Sequence, residues 1–150
     1  METARIAKRI EIRATPEQVF ALISDPTSFT ALLPGLIGIT NISPLPLEKG
    51  SGFDYKYRMA GTEIAGTWSV DEIQSPRLYR SHTKGLSESR WTQEVSPSAE
   101  GSLYTLTIDY AIPDGLVRHL VAETIIAAND RDMDEMITNL KKALERANHS

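Results

Sequence analysis

The sequence predicts an α+β fold: one curved antiparallel sheet of seven strands, two short helices after the first strand, and a long C-terminal helix laid over the sheet. Three observations carry this prediction. Segments of alternating apolar and polar residues recur from Arg5 to Tyr110, each bounded by turn residues. Two proline-led helix starts follow the first of these segments. After Ile112-Pro113 the apolar spacing changes from two to three and four, and no proline or internal glycine interrupts Leu116 to about Ala147.

The first strand is Arg5 to Arg13. Ile6, Ile10 and Ile12 share one face, and Arg9, Glu11 and Arg13 share the other. Lys8 falls on the apolar face, so it either reaches water along its aliphatic stem or places a charge inside a cavity. Thr15-Pro16-Glu17-Gln18 then opens a helix. Thr15 is placed to cap it, Pro16 fits the first turn, and Gln18 stands three residues after the cap. Asp25-Pro26 repeats the signal for a second short helix to Leu33, which Pro34-Gly35 ends.

Six further strands are expected. Leu36 to Ile42 comes first, and Phe53 to Met59 follows the turn Glu48 to Gly52. In that strand Phe53, Tyr55, Tyr57 and Met59 share a face. Ala60-Gly61 is a two-residue hairpin loop leading into Glu63 to Ile73. There Ile64, Trp68 and Val70 agree in phase, Ile73 does not, and Gly66 is expected to mark a bulge. Arg77 to Thr83, Glu88 to Val95 and Leu103 to Tyr110 complete the set, with Tyr104, Leu106, Ile108 and Tyr110 on one face of the last. Short turns between strands imply an antiparallel meander.

In the long helix Ile126, Met133, Ile137, Leu140 and Leu144 form the expected apolar stripe. Asp114 is a candidate N-cap, and Asn129-Asp130 a candidate break. Lys141, Lys142 and Arg146 suit the negative end of the helix dipole. No repeat or linker appears, so residues 1–150 are expected to form a single domain.

Composition excludes several classes. With 150 residues, 41% apolar and 24% charged, the chain is an ordinary globular sequence. A net charge of -4 offers no electrostatic footprint for nucleic acid. The absence of cysteine excludes disulfides, cysteine nucleophiles and thiolate metal sites. Met1 to Arg13 lacks the apolar core of a signal peptide, and no apolar run nears the roughly 18 residues a membrane span needs. The expectation is a soluble cytoplasmic protein with no cofactor and no membrane span. A homodimer is left open.

The element order, TPEQVFALISDPTSFTALLPG after the first strand, the GSGFDYKYRMAG hairpin, VDEIQSPRLYRSHT and the long last helix together resemble the START-like (SRPBCC) superfamily. Within it, the polyketide cyclase/dehydrase-like group is the nearest in pattern. The resemblance covers nearly the whole chain. It implies a helix-grip fold whose members hold lipids, sterols, quinones, polyketides or plant hormones in a cavity under the last helix. Some members are cyclases and others carriers. It implies no catalytic motif, and none is found: GxSxG, phosphate-binding glycine loops, HExxH and EF-hand loops are all missing.

Candidate ligand-lining residues are Phe53, Tyr55, Tyr57, Met59, Trp68, Trp91, Ile126, Asn129 and Met133. The indoles of Trp68 and Trp91 can each donate to a ligand carbonyl. Asn129 and Asp130 put polar groups on or beside an apolar stripe, and the methionines suit an adaptable pocket. His82, His119 and His149 show no metal-ligand spacing. No catalytic residue is assigned. His82 and Arg80 share a face with Leu78, and if Leu78 points inward, these two with Asp130 form a candidate acid/base set. If Tyr79 points inward instead, His82 is a solvated strand residue. Glu11, Asp54, Lys56, Arg58, Asp71 and Glu72 are expected on outer faces.

The leading functional expectation is a protein that binds a small hydrophobic or amphipathic ligand between sheet and helix. A cyclase or dehydratase using the acid/base set is the second. A protein-interaction module with a collapsed cavity is the third.

Overall fold

The computed structural model describes residues 3–85, 87–112, 114 and 121–148. Seven strands form one antiparallel sheet: β1 (Thr3–Ile12), β2 (Leu36–Thr40), β3 (Gly52–Met59), β4 (Thr62–Gln74), β5 (Leu78–Gly85), β6 (Ser89–Ser98) and β7 (Gly101–Ala111). Their spatial order is β1-β7-β6-β5-β4-β3-β2, so the first two strands of the chain are the two edges. Between them run α1 (Pro16–Ile23) and α2 (Pro26–Thr30), and α3 (Ala122–Ala147) crosses the sheet.

Local chemistry sets these boundaries. At α1, Thr15 Oγ1 accepts from the Gln18 amide at 3.1 Å and Gln18 Oε1 accepts from the Thr15 amide at 2.9 Å, a reciprocal capping box. Gln18 Nε2 also donates to Asn148 Oδ1 at 3.1 Å, which joins the start of α1 to the end of α3. Asp25 caps α2 by accepting from the Thr27 and Ser28 amides. The β3–β4 hairpin turns on Ala60 and Gly61 with φ of 48° and 87°, both left-handed, as a primed two-residue turn requires.

The sequence expectation for β4 needs correcting. The register shift lies between Val70 and Glu72, so Asp71 is the extra residue and the reason Ile73 falls out of phase. Gly66 is not bulged. It stands in register with Gly85 on β5, and a Cβ there would overlap the Lys84 carbonyl and lie 2.9 Å from the Tyr55 hydroxyl.

The helix also departs from expectation. It runs unbroken through Asn129-Asp130. Its buried face is Ile125, Asn129, Met133, Met136, Ile137, Leu140 and Leu144, and Ile126 sits only half-buried on its flank. At about 100° per residue, Ile125 lies in line with Asn129 and Met133, and Ile126 does not. Val121, not Asp114, is the residue before the described helix, and Asp114 is exposed. The expected start at Leu116 lies outside the described residues, as do His119 and His149.

The concave face of the sheet supplies most of the core, including Ile12, Tyr104 and Leu106, which are fully buried. Polar ties close the seam between β1, α1 and the end of α3. Glu145 Oε2 accepts from Lys141 Nζ at 2.7 Å and from the Arg13 amide at 3.0 Å. Lys141 and then Arg13 hold the Glu145 carboxyl below its usual range. A depressed pKa stabilises the fold above the unfolded value, and that contribution is lost as pH falls through the folded one. Glu145→Gln should therefore flatten the fall of urea-unfolding midpoints between about pH 5 and pH 3 relative to the wild type.

Candidate functional site

A cavity of about 70 Å³ lies between the concave face of the sheet and α3. The walls follow from strand alternation. Tyr55, Tyr57 and Met59 on β3 and Ile64 and Trp68 on β4 point inward from one side. Trp91 on β6, Ile108 and Tyr110 on β7 and Ile6 on β1 form the other. Asn129 and Met133 close it from α3, Leu33 from the α2–β2 connection and Leu36 from the start of β2. Thr83, Ser87 and Ser89 sit at the β5–β6 end.

Of the nine expected lining residues, Tyr55, Tyr57, Met59, Trp68, Trp91, Asn129 and Met133 lie in this wall. Phe53 is buried but stands behind it, stacked on Trp68 at 5.5 Å between centroids. Ile126 is off the wall for the helical-phase reason given above. Sequence reading did not single out Tyr110, Ile108, Ile64 or Ile6, although each lay on a face already seen to be apolar. Alternation identifies the face, but the place where packing leaves a void depends on the opposite layer.

The indoles separate two residues that look alike in sequence. Trp91 Nε1 donates to Ser89 Oγ at 3.0 Å, and Ser89 Oγ is 2.5 Å from Thr83 Oγ1. Ser87 Oγ donates to the Ala111 carbonyl at 2.9 Å. Trp68 Nε1 is buried and has no partner among the described residues. The same holds for Tyr110 Oη and Asn129 Oδ1. Burial raises the pKa of Tyr110, the Asn129 amide N–H, placed to donate toward the phenol oxygen, opposes the rise, and Asp130 adds to it, while Asn129 Oδ1 has no partner. Trp68 itself is firmly held. Trp91 lies 4.7 Å away, Phe29 and Tyr55 meet its ring edge-on, and Phe53 stacks on it.

The acid/base set is not assembled. On β5, Tyr79, Ser81 and Thr83 point inward, while Arg80 and His82 face the outer side. There His82 Nδ1 lies 2.7 Å from Asp71 Oδ1, and Arg80 is 3.6 Å from Glu72. Outward carboxylates on β4 thus accompany an outward phase on β5. Asp130 lies on the flank of α3, with its side chain 48% exposed. Among the described wall residues there is no Lys, Arg, His, Asp or Glu.

Lys8 resolves differently from either sequence alternative. Its stem runs beneath α3, and Nζ lies 2.9 Å from carboxylate oxygens of both Asp130 and Asp134, one helical turn apart. The Lys8 side chain is 17% exposed, but its acidic partners are half in water. Lys8→Met is therefore expected to cost about 1 kcal/mol in urea unfolding and to weaken its salt dependence. A loss near 4 kcal/mol would show that the carboxylates are far more desolvated than their exposure indicates. On the opposite side, Tyr57 Oη donates to Asp132 Oδ2 at 2.9 Å. Burial first, and then Asp132, pushes the Tyr57 pKa up, so its phenol stays neutral. This bond borders a more open cleft of about 300 Å³ lined by residues 34–37, Arg58 and Ala128.

A seven-stranded antiparallel sheet closed by one long helix over an apolar void defines a helix-grip protein. The chain belongs to the family described as polyketide cyclase / dehydrase and lipid transport, whose model matches residues 3–145. Solved structures share the fold. The Zhui aromatase/cyclase from a Streptomyces species is similar at a TM-score of 0.76 and 16% identity, over 97% of this chain and 95% of that one. The Thermus thermophilus protein TTHA0849 is similar at 0.74 and 19%, over 96% and 99%. Ara h 8.0201 is similar at 0.70 and 9%, over 97% and 99%. A search of curated proteins finds no match. Among the described residues no helix is long and apolar enough to cross a membrane.

Proposed function

We propose that this protein binds a small, largely apolar molecule in the cavity beneath α3. One observation carries the reading: an apolar void under α3 has in its wall Trp68, Tyr110 and Asn129, each of which also buries a polar atom without a partner among the described residues. Each unsatisfied buried group costs about 1–3 kcal/mol. A collapsed core would gain by replacing them with hydrocarbon, so a ligand that completes their hydrogen bonds is the economical account. Desolvation of ligand and wall drives binding, and the polar atoms fix orientation.

The reading of a cyclase or dehydratase working through Arg80, His82 and Asp130 has no such support, because two of the three face away from the cavity. Binding is tested by native mass spectrometry of freshly purified protein, with organic extraction of anything carried along. A bound species of defined mass that is lost on extraction is the expected result. Protein that stays empty and takes up no added fatty acid, quinone or aromatic ligand would overturn the proposal.

A further inference from the structure

Very little protein separates the cavity under α3 from the open cleft beside it. Tyr57 belongs to the cavity wall. Its ring lies against Gly35 and its hydroxyl binds Asp132, and both of those residues belong to the wall of the cleft. Leu36 belongs to both walls. The ring rests on bare glycine backbone: a Cβ at Gly35 would come within 2.7 Å of its Cε2 and Cζ. One aromatic ring therefore stands between the void of about 70 Å³ and the cleft of about 300 Å³. Elsewhere the enclosure is thicker. Trp68 is backed by Phe53, and Trp91 and Ile108 stand on strands paired on both sides.

The hold on this ring is slight. Tyr57 Oη makes one bond, to Asp132 Oδ2 at 2.9 Å, and Asp132 is only half-buried. Water in the cleft can take over both ends of that bond. The space into which the ring would turn is lined by the small residues Gly35, Ala60, Gly61 and Ala128. It exceeds the about 150 Å³ that encloses a benzene ring. The turn is a rotation about side-chain bonds, so it leaves the pairing of β3 with β4 in place.

We propose that Tyr57 is a swinging partition. When its bond to Asp132 exchanges with water, the ring turns into the cleft, and cavity and cleft become one channel open to solvent. The purpose of this passage, entry and exit of a guest, rests on the ligand-binding reading above. The passage itself is tested without a ligand.

Both tryptophans of the chain, Trp68 and Trp91, line the cavity and are 4% and 8% exposed, so tryptophan fluorescence reports on the void. The measurement is the rate constant for quenching by acrylamide, a small neutral molecule. Tyr57→Phe keeps the ring and removes the bond, and Asp132→Ala removes the acceptor. Each should raise the constant about fivefold, the net strength of one such hydrogen bond. Tyr57→Ala, which removes the partition, should raise it further, and Asp132→Asn, which retains an acceptor, should stay near the wild type. Lys8→Met loosens the opposite flank of α3 and should leave quenching unchanged. Far-UV circular dichroism checks that each variant is folded. If Tyr57→Ala does not fold, Tyr57→Phe and Asp132→Ala decide the matter. Quenching that neither Tyr57 variant alters overturns the proposal and leaves ligand binding standing. An equal rise in Lys8→Met also overturns it, because the helix as a whole then loosens. If quenching follows the expected order but the protein stays empty and takes up no added ligand, the partition stands and the ligand-binding reading falls.

Discussion

Gly66→Val is expected to destabilise the protein by about 3 kcal/mol or more, read as a drop in the urea-unfolding midpoint. At this point β4 and β5 approach through two facing glycines, Gly66 and Gly85. A side chain at 66 meets the Lys84 backbone carbonyl, which no rotamer change can move, and the Tyr55 hydroxyl at 2.9 Å. Gly85 cannot accommodate the intrusion by reshaping. Its φ is +141°, and a Cβ there would lie 2.6 Å from the Ala65 carbonyl. Gly38→Ala is the matched control. It sits on edge strand β2 with nothing within 4 Å of a new Cβ, so its effect should stay within about 0.5 kcal/mol. If Gly66→Val unfolds together with the wild type, close strand approach has no energetic role there.

Trp68→Ala should be the other large loss. Truncating a buried tryptophan costs about 3–5 kcal/mol through lost transfer energy and the hole left behind. Here Phe29, Phe53, Tyr55 and Trp91 would each lose a packed face. Two features pull the value toward the lower end. Part of the ring already borders a void, and the variant no longer buries an unpartnered indole N–H. Trp68→Phe keeps most of the ring contact and removes the same orphan, so it should cost less than about 1.5 kcal/mol. A Trp68→Phe loss as large as that of Trp68→Ala would mean that the N–H is satisfied in solution, and the ligand-recognition argument would lose one of its three supports.

Much of the fold could be read along the chain because most elements carried a redundant signal. On β1, β3 and β7 the alternation agreed with flanking turns, and at α1 the capping residues agreed with the apolar residues that follow. The β5 strand lacked such redundancy. Leu78, Arg80 and His82 on one face and Tyr79, Ser81 and Thr83 on the other are both mixed sets, so periodicity could not choose between them. The register with β4 decides it, with Asp71 and Glu72 outward to meet His82 and Arg80. The bulge at Asp71 is a property of two strands together and leaves no mark in one.

The site divides along the same line. Asn129 was visible as a polar residue within an apolar stripe. The contrast between a satisfied Trp91 and an unsatisfied Trp68 was not, because it depends on Ser89 standing two residues from Trp91 with Thr83 across the ladder.

The two halves of α3 are fastened by different means. Toward its C-terminus Met136, Ile137, Leu140 and Leu144 are sunk in the core, and releasing them would expose hydrocarbon to water. Toward its N-terminus two of the buried residues, Asn129 and Met133, look onto a void, and the ties flanking them run from Lys8 and Tyr57 to aspartates that water can solvate in their place. The C-terminal half of α3 is therefore anchored by hydrocarbon throughout, and in the N-terminal half only Ile125 is a fully buried aliphatic anchor, so less apolar contact fastens the helix over the void than beyond it.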